Sequence, residues 1–250
     1  MDIAQPKHSV LESRPTDFAT THWSLVLNAS GAQSPFMASA LQQLCVTYWY
    51  PLYAHVRRLG WGPQDAQDLT QDFFARLLEK DYLKLADPKR GRFRTFLLTS
   101  IARFVANEWE RRHAVKRGAG QTVPLVVMEN GEERYRHEPV DGLSPDIIFE
   151  RRWATTLLES VIGRLRVEYA SVHKEELFEG LKASVWGEAP EDGYPSLAAK
   201  FNLSEGALRV AAHRMRERYR TLLHETVART VATTDEVEDE LRHLASVLRE

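Results

Sequence analysis

The chain has 250 residues, of which 43% are hydrophobic and 27% charged, and its formal net charge is -2. This length suits one large domain or two small ones of a soluble globular protein. The single cysteine, Cys45, excludes an internal disulfide framework, and no apolar run has the length of a signal peptide or membrane span. We therefore expect a cytoplasmic protein without membrane insertion. Residues 1–20 are polar and are expected to be poorly ordered, which places a first domain at residues 21–117.

The stretch from Asp65 to Glu79 predicts an amphipathic helix with two distinct faces. Its buried face is predicted to comprise Ala66, Leu69, Phe73 and Leu77, which recur at helical spacing. Another face carries three carboxylates at i, i+3 and i+7 with an amide beside them, namely Asp65, Asp68, Asp72 and Gln71. Such a face is either solvated or the docking surface of a partner.

Residues 89–117 are strongly basic and predict a long helix from about Arg94 to about His113. Nine residues of this stretch are basic, and only two, Glu108 and Glu110, are acidic. The basic residues are Lys89, Arg90, Arg92, Arg94, Arg103, Arg111, Arg112, Lys116 and Arg117. Aromatic side chains are interleaved with them, which is typical of a nucleic-acid surface. A basic helix that keeps the domain soluble is the alternative interpretation.

Residues 118–145 are predicted to link two helical domains. Within this linker, Asn130-Gly131 favours the turn of a short hairpin between Val123 and His137. The second domain is placed at residues 146–224.

Residues 196–222 have the layout of a helix-turn-helix. Asn202 stands where left-handed backbone geometry is expected, and Ser204 is the predicted N-cap of the second helix. On that helix Arg209, His213, Arg216 and Arg220 share one outward face, which a helix lying in a major groove requires. A solvated arginine face is the alternative.

The C-terminal extension, residues 225–250, combines an acidic cluster with an apolar stripe. The acids lie between Asp235 and Glu240, and the stripe is formed by Val237, Leu241, Leu244 and Leu248. We hypothesise that this extension folds back and that its acids restrain the arginine face of the recognition helix. The alternative is that the stripe packs on the first domain or on another copy of the chain.

Two helical domains in this order resemble the bacterial RNA polymerase sigma factors of the extracytoplasmic-function (ECF) class. The segments that carry the resemblance are Tyr48–Gly60, Asp65–Phe74, Phe93–Leu98, Ile101–Arg103, Arg111-Arg112, Leu197-Ala198, Leu203–Leu208 and His213-Arg214. The resemblance implies an all-α fold, with a region 2-like bundle and a region 4-like helix-turn-helix domain joined by a linker. It implies a sigma factor that directs core RNA polymerase to promoters, with core polymerase and promoter DNA as partners and no cofactor or metal. An anti-sigma factor or other regulator is a further candidate partner.

The resemblance also assigns residues to three binding surfaces. Core polymerase would be bound by Asp68, Gln71 and Asp72. The −10 element would be bound by Arg94, Arg103, Phe104, Asn107, Trp109, Arg111 and Arg112. The −35 element would be bound by Ser204, Arg209, His213, Arg214, Arg216 and Arg218. Ala211 stands where the family usually has a basic residue, so the −35 sequence cannot be transferred to this chain.

Two other functions compete with the sigma-factor interpretation. Carboxylates at i, i+3 and i+7 can converge on Mg²⁺, but the sequence shows no second acidic cluster and no nucleophile–base pair, so we predict no enzymatic activity. A stand-alone helix-turn-helix repressor would account for the Arg209 helix and leaves the acidic face of residues 65–72 without a role.

Overall fold

The computed structural model describes residues 35–78, 91–114, 131–136 and 142–249, and this part of the chain is all-helical, as predicted. We number its α-helices in chain order, with 3₁₀ turns at Lys182–Trp186 and Thr234–Glu236. The helices are α1 Pro35–Arg58, α2 Pro63–Leu78, α3 Phe93–Ala114, α4 Gly131–Arg136, α5 Pro145–Ala170, α6 Glu175–Leu181, α7 Gly193–Phe201, α8 Glu205–Ala228 and α9 Val237–Val247. Residues 1–20 lie outside the described residues.

Helix α5 is the element against which both ends of the described chain pack. It starts with Ser144 as N-cap, whose hydroxyl accepts a hydrogen bond from the backbone N–H of Ile147. The buried side of α5 includes Phe149, Trp153 and Leu157. Its contact with α1 is the most extensive between any two of the described helices, and it also packs against α6, α8 and α9.

The apolar core is therefore continuous from α1 to α9. Helix α5 lies in the stretch assigned to the second domain, yet it covers α1 of the first. His55 of α1 lies at this junction, 2% exposed, with its Nδ1 3.7 Å from the Asp146 carboxylate. The domain boundaries at residues 117, 145 and 224 stay a prediction, and the structure joins the helices on either side of residues 118–145 through a shared core.

Helix α4 differs from the predicted hairpin. Residues 131–136 are helical, and the first half of the proposed hairpin, residues 123–130, lies outside the described residues. The helix is held on α1 by Glu132, whose carboxylate accepts hydrogen bonds from the Tyr53 hydroxyl at 2.5 Å and from Arg57 Nε at 3.0 Å. Gly131 lies directly against the Trp49 ring, where a Cβ would approach Cζ3 to 2.8 Å. The long-range carboxylate contacts stabilise a helix where the local Asn-Gly signal favours a turn.

Candidate functional site

The acidic face of α2 lies at the surface, as expected from its spacing. Its opposite side is buried, since Ala66, Leu69, Phe73 and Leu77 are each at most 1% exposed. Asp68 and Asp72 are partly exposed, and Asp68 accepts a hydrogen bond from Gln64 Nε2 at 3.1 Å. Gln71 is 9% exposed, so its amide lies at the edge of this face and most of it is covered. The two aspartates therefore form the accessible part of the predicted polymerase-binding set.

One arginine of α2 links that helix to α3 beyond their apolar contacts. Arg76 of α2 lies 3.2 Å from the Glu108 carboxylate of α3 and 5.0 Å from the centroid of the Phe104 ring. Glu108 also pairs with Arg111 at 2.7 Å. The acidic face of α2 and the outer face of α3 consequently belong to one packed unit.

The predicted −10 residues on α3 divide into exposed and buried groups. Arg103 and Asn107 are exposed, Trp109 is 53% exposed, and the side chain of Arg111 is 52% exposed. Arg112 lies in the described part of α3, but its side chain lies outside the described residues. Arg103, Asn107 and Arg111 follow one another at i, i+4 and i+8, so these cationic and amide groups share one side of α3, and Trp109 lies about 160° round the helix from Arg111. Cationic and aromatic side chains are the groups that bind the charged backbone and the bases of a single-stranded nucleic acid.

Phe104 and Arg94, the other two members of the −10 set, are buried at 2% and 4% exposure. Phe104 packs against Phe73 with ring centroids 5.9 Å apart, so its place is in the core of the α2–α3 pair. Arg94 lies at the N-terminal end of α3, with its guanidinium 4.6 Å from the centroid of the Trp153 ring. Burial lowers the pKa of Arg94, whereas the neighbouring Glu150 carboxylate favours the charged form. Neither side chain reaches the surface of α3 in this structure.

The helix-turn-helix is built as the sequence predicts. Helix α7 ends at Phe201, and its C-cap, Asn202, adopts left-handed geometry with φ 51° and ψ 45°. Ser204 then caps α8, its hydroxyl accepting from the backbone N–H of Ala207 at 3.1 Å. Both local predictions are confirmed. Ser204, which was predicted to bind the −35 element, thus also has a structural role as the N-cap of α8, because its hydroxyl accepts a backbone hydrogen bond.

The basic residues of α8 differ in their exposure and in their partners. Arg209, His213 and Arg214 are exposed near the start of the helix, and Arg209 lies over the Tyr194 ring at 4.4 Å. Arg218 is tied to α5, since its Nη2 lies 2.6 Å from the Glu168 carboxylate. Hydrogen bonding from Arg218 lowers the pKa of Glu168.

Arg216 is partly buried, and its Nε has no hydrogen-bond partner within the described residues. The first turns of α8 thus carry the exposed cationic surface of the predicted −35 set.

One cluster was missed at the sequence level. Glu240 of α9 is fully buried and meets Arg94, while its other oxygen lies 2.7 Å from Arg92 Nη1. A pairing across 146 residues leaves no mark in local patterns. The burial of Glu240, though not its partner, was predictable, because Glu240 lies three residues after Val237 and four before Leu244, on the side of the helix that the apolar stripe predicts to be buried.

Comparison with protein families gives one match. Residues 47–115 match the family model of sigma-70 region 2. This match supports a sigma-factor family. The region 2 domain begins within α1, contains α2 and ends just after α3, so it includes both the acidic face and the basic helix. No curated protein and no solved structure matches the chain.

The region 2 match supports the interpretation of this chain as a sigma factor that binds core RNA polymerase and recognises promoter −10 elements. Sigma factors are non-enzymatic initiation factors, which supports the prediction that this chain is not an enzyme. Across residues 35–78, 91–114, 131–136 and 142–249, the side chains form no group of three or more metal-ligating residues. None of the helices in those ranges combines the length and apolarity of a membrane span.

Proposed function

We propose that this chain is a sigma factor of the ECF class that brings core RNA polymerase to promoters by binding both the −10 and the −35 elements. The observation that carries the proposal is the overlap of the region 2 match with two surfaces of opposite chemistry. Asp68 and Asp72 of α2 form the acidic one, and Arg103, Asn107 and Arg111, at i, i+4 and i+8 of α3, form the cationic and polar one. The acidic surface docks on polymerase, and the other surface binds the separated strand of the −10 element.

Helix α8 binds the −35 element in this proposal. Its support is the helix-turn-helix geometry at Asn202 and Ser204, and the exposure of Arg209 and His213 in the first turns. Residues at the start of a recognition helix reach base edges, whereas later ones contact the backbone. Because Glu168 occupies Arg218, specific binding rests mainly on Arg209 and His213.

Polymerase docking is tested by reversing the charge of the acidic face. Asp68→Arg combined with Asp72→Arg is expected to abolish capture of the chain by core RNA polymerase and to leave the fold intact, because both sites are at the surface. The matched control is Glu176→Arg with Glu188→Arg, which makes the same change of charge at exposed sites outside region 2. Wild-type capture by the double aspartate variant, with an unchanged circular dichroism spectrum, contradicts the docking assignment.

Promoter reading by α8 is tested with Arg209→Ala. We expect −35 duplex binding to weaken by about 1–3 kcal/mol and the preferred sequence to relax, since a bidentate contact to a base edge is lost. Arg220→Ala is the comparison, because Arg220 is 70% exposed, lies three turns later and pairs with Glu217 of its own helix. It should weaken all sequences alike. A selection experiment that returns the same preferred sequence for wild type and Arg209→Ala contradicts base reading by this residue.

A stand-alone repressor is the competing function. It accounts for α7 and α8, but gives no reason for a region 2 domain. Core polymerase capture separates the two, because a repressor has no need of the polymerase.

A further inference from the structure

The C-terminal helix α9 places a carboxylate on two arginines at the start of the region 2 helix α3: Arg92, which directly precedes the helix, and Arg94 in its first turn. Glu240 is 0% exposed and contacts Arg94, which is 4% exposed, and Arg92, which is 29% exposed. The Arg92 contact of 2.7 Å lacks hydrogen-bond geometry at Glu240 Oε2 and is an ion pair. Glu240 of the extension therefore contacts the first domain and not the arginine face of α8, where the sequence hypothesis placed the acids.

Helix α5 completes the cluster. Glu150 accepts from Arg94 Nε at 2.8 Å, and the same Glu150 oxygen lies 3.0 Å from His243 Nε2 of α9. The charges balance, with two guanidinium groups facing two carboxylates. Half of the negative charge is thus supplied by α9, and Arg92 and Arg94 would be left with Glu150 alone if α9 moved away.

The orientation of α9 about its own axis brings Glu240, and not a neighbouring acid, to this cluster. Its apolar side, formed by Val237, Leu244 and Val247, is buried and delivers Glu240 to the cluster. The neighbouring acid Asp239 remains 57% exposed and pairs with Arg242 of its own helix at 2.5 Å. A helix docked by apolar contacts alone would have no need to bury a carboxylate, because burying a charge is costly unless it is paired.

Carboxylates and phosphates are competing ligands of the same kind for arginine. Both are oxyanions that accept two hydrogen bonds from a guanidinium group. Arg92 and Arg94 lie at the start of the helix whose outer face binds the −10 strand under the proposed function, on which this inference rests. A phosphate of that strand and the Glu240 carboxylate cannot occupy these donors together.

We propose that α9 is an intramolecular competitor of nucleic acid: Glu240 holds Arg92 and Arg94 in the free chain, and DNA binding at the start of α3 requires its release. The contact lowers the affinity of the free protein for DNA backbone. It also ties the C-terminal end of α8 to region 2 until the release occurs.

The test compares the full-length chain with Glu240→Gln, which keeps the shape of the side chain and removes its charge. The probe is a fluorescein-labelled, mixed-sequence 20-nucleotide single strand, measured by anisotropy at several salt concentrations. We expect Glu240→Gln to bind about 3- to 10-fold more tightly at low salt, with the slope of log affinity against log salt steeper by about 0.7 for each additional phosphate that the protein neutralises. Asp239→Asn is the matched control, since it removes a charge from the exposed side of the same helix, and it should change neither affinity nor slope.

A second variant protects the test against a failure of Glu240→Gln to fold. Deletion of residues 237–250 removes α9 and should produce the same increase in affinity and slope. Adding Arg94→Gln to either variant should cancel part of that increase. If neither Glu240→Gln nor the deletion binds DNA more tightly than wild type, the competition does not occur. Core polymerase capture, measured on the same proteins, reports separately on the proposed function: a wild-type chain that core polymerase does not capture contradicts the sigma-factor role, whatever the DNA result.

Discussion

Trp153 offers the sharpest test of whether α1 and α5 form one folding unit. Its side chain is fully buried on α5 and lies against the Arg94 guanidinium at 4.6 Å. Trp153→Ala removes a large apolar side chain from the core that α1 and α5 share. Replacing a buried aromatic residue by alanine costs about 3–5 kcal/mol of unfolding free energy, because the apolar contacts are lost and a cavity remains.

Two measurements report on this loss. Urea unfolding followed by far-ultraviolet circular dichroism gives the change in unfolding free energy. Hydrogen exchange gives the location of the loss. A loss of 3–5 kcal/mol raises the exchange rate by about two to three and a half powers of ten at amides that exchange only through global unfolding. We expect amides of α1 and α5 to lose protection together. Val167→Ala is the control, because Val167 lies on the same helix and is 68% exposed, so its effect should stay within about 0.5 kcal/mol.

A divided response would refute the reasoning. If Trp153→Ala accelerates exchange in α5 while α1 keeps its protection, the two helices unfold independently and the shared core is not cooperative. A loss of unfolding free energy below about 1 kcal/mol would likewise show that the site collapses around the smaller side chain.

Two further predictions concern a helix cap and a buried histidine. Ser204→Ala should lower the unfolding free energy by about 0.5–2 kcal/mol because the first turn of α8 loses its cap, whereas Ser204→Asp should retain it, and equal urea midpoints for the two variants would contradict the capping role. Burial lowers the pKa of His55 below its ordinary value of 6.5, so the unfolded chain takes up the proton first. The stability that neutral His55 contributes is complete above pH 6.5 and is lost as the pH falls from there toward the folded-state pKa. His55→Gln should therefore lose less unfolding free energy than wild type between about pH 7.5 and pH 5.5, and equal losses in urea titrations would contradict this assignment.

Local patterns in the sequence predict most of the helices and their faces. The spacing of Leu69, Phe73 and Leu77 predicts which side of α2 is buried, because a helix repeats every 3.6 residues whatever its neighbours are. Asn202 and Ser204 predict the turn before α8, because their backbone and side-chain chemistry acts within a few residues. These features depend on short-range interactions and are confirmed.

Long-range contacts were not predictable in the same way. Arg94 was assigned to the −10 element by the family resemblance, and in the structure Glu150 and Glu240 contact it from helices far along the chain. Gly131, which the Asn-Gly signal places in a turn, begins α4 instead, and Glu132 of that helix contacts α1. In each case a charged side chain found its partner through packing, which a linear pattern does not encode.

The packing of α5 on α1 bears on how such a chain can be recombined. The match to region 2 covers residues 47–115, but one side of α1 is covered by a helix that begins 30 positions after that segment ends. A chimera that exchanged residues 47–115 alone would present a foreign surface to Trp153 and Phe149. The unit that can be moved between proteins includes α5 as well, and a graft designed on the family boundaries would expose apolar area at the seam.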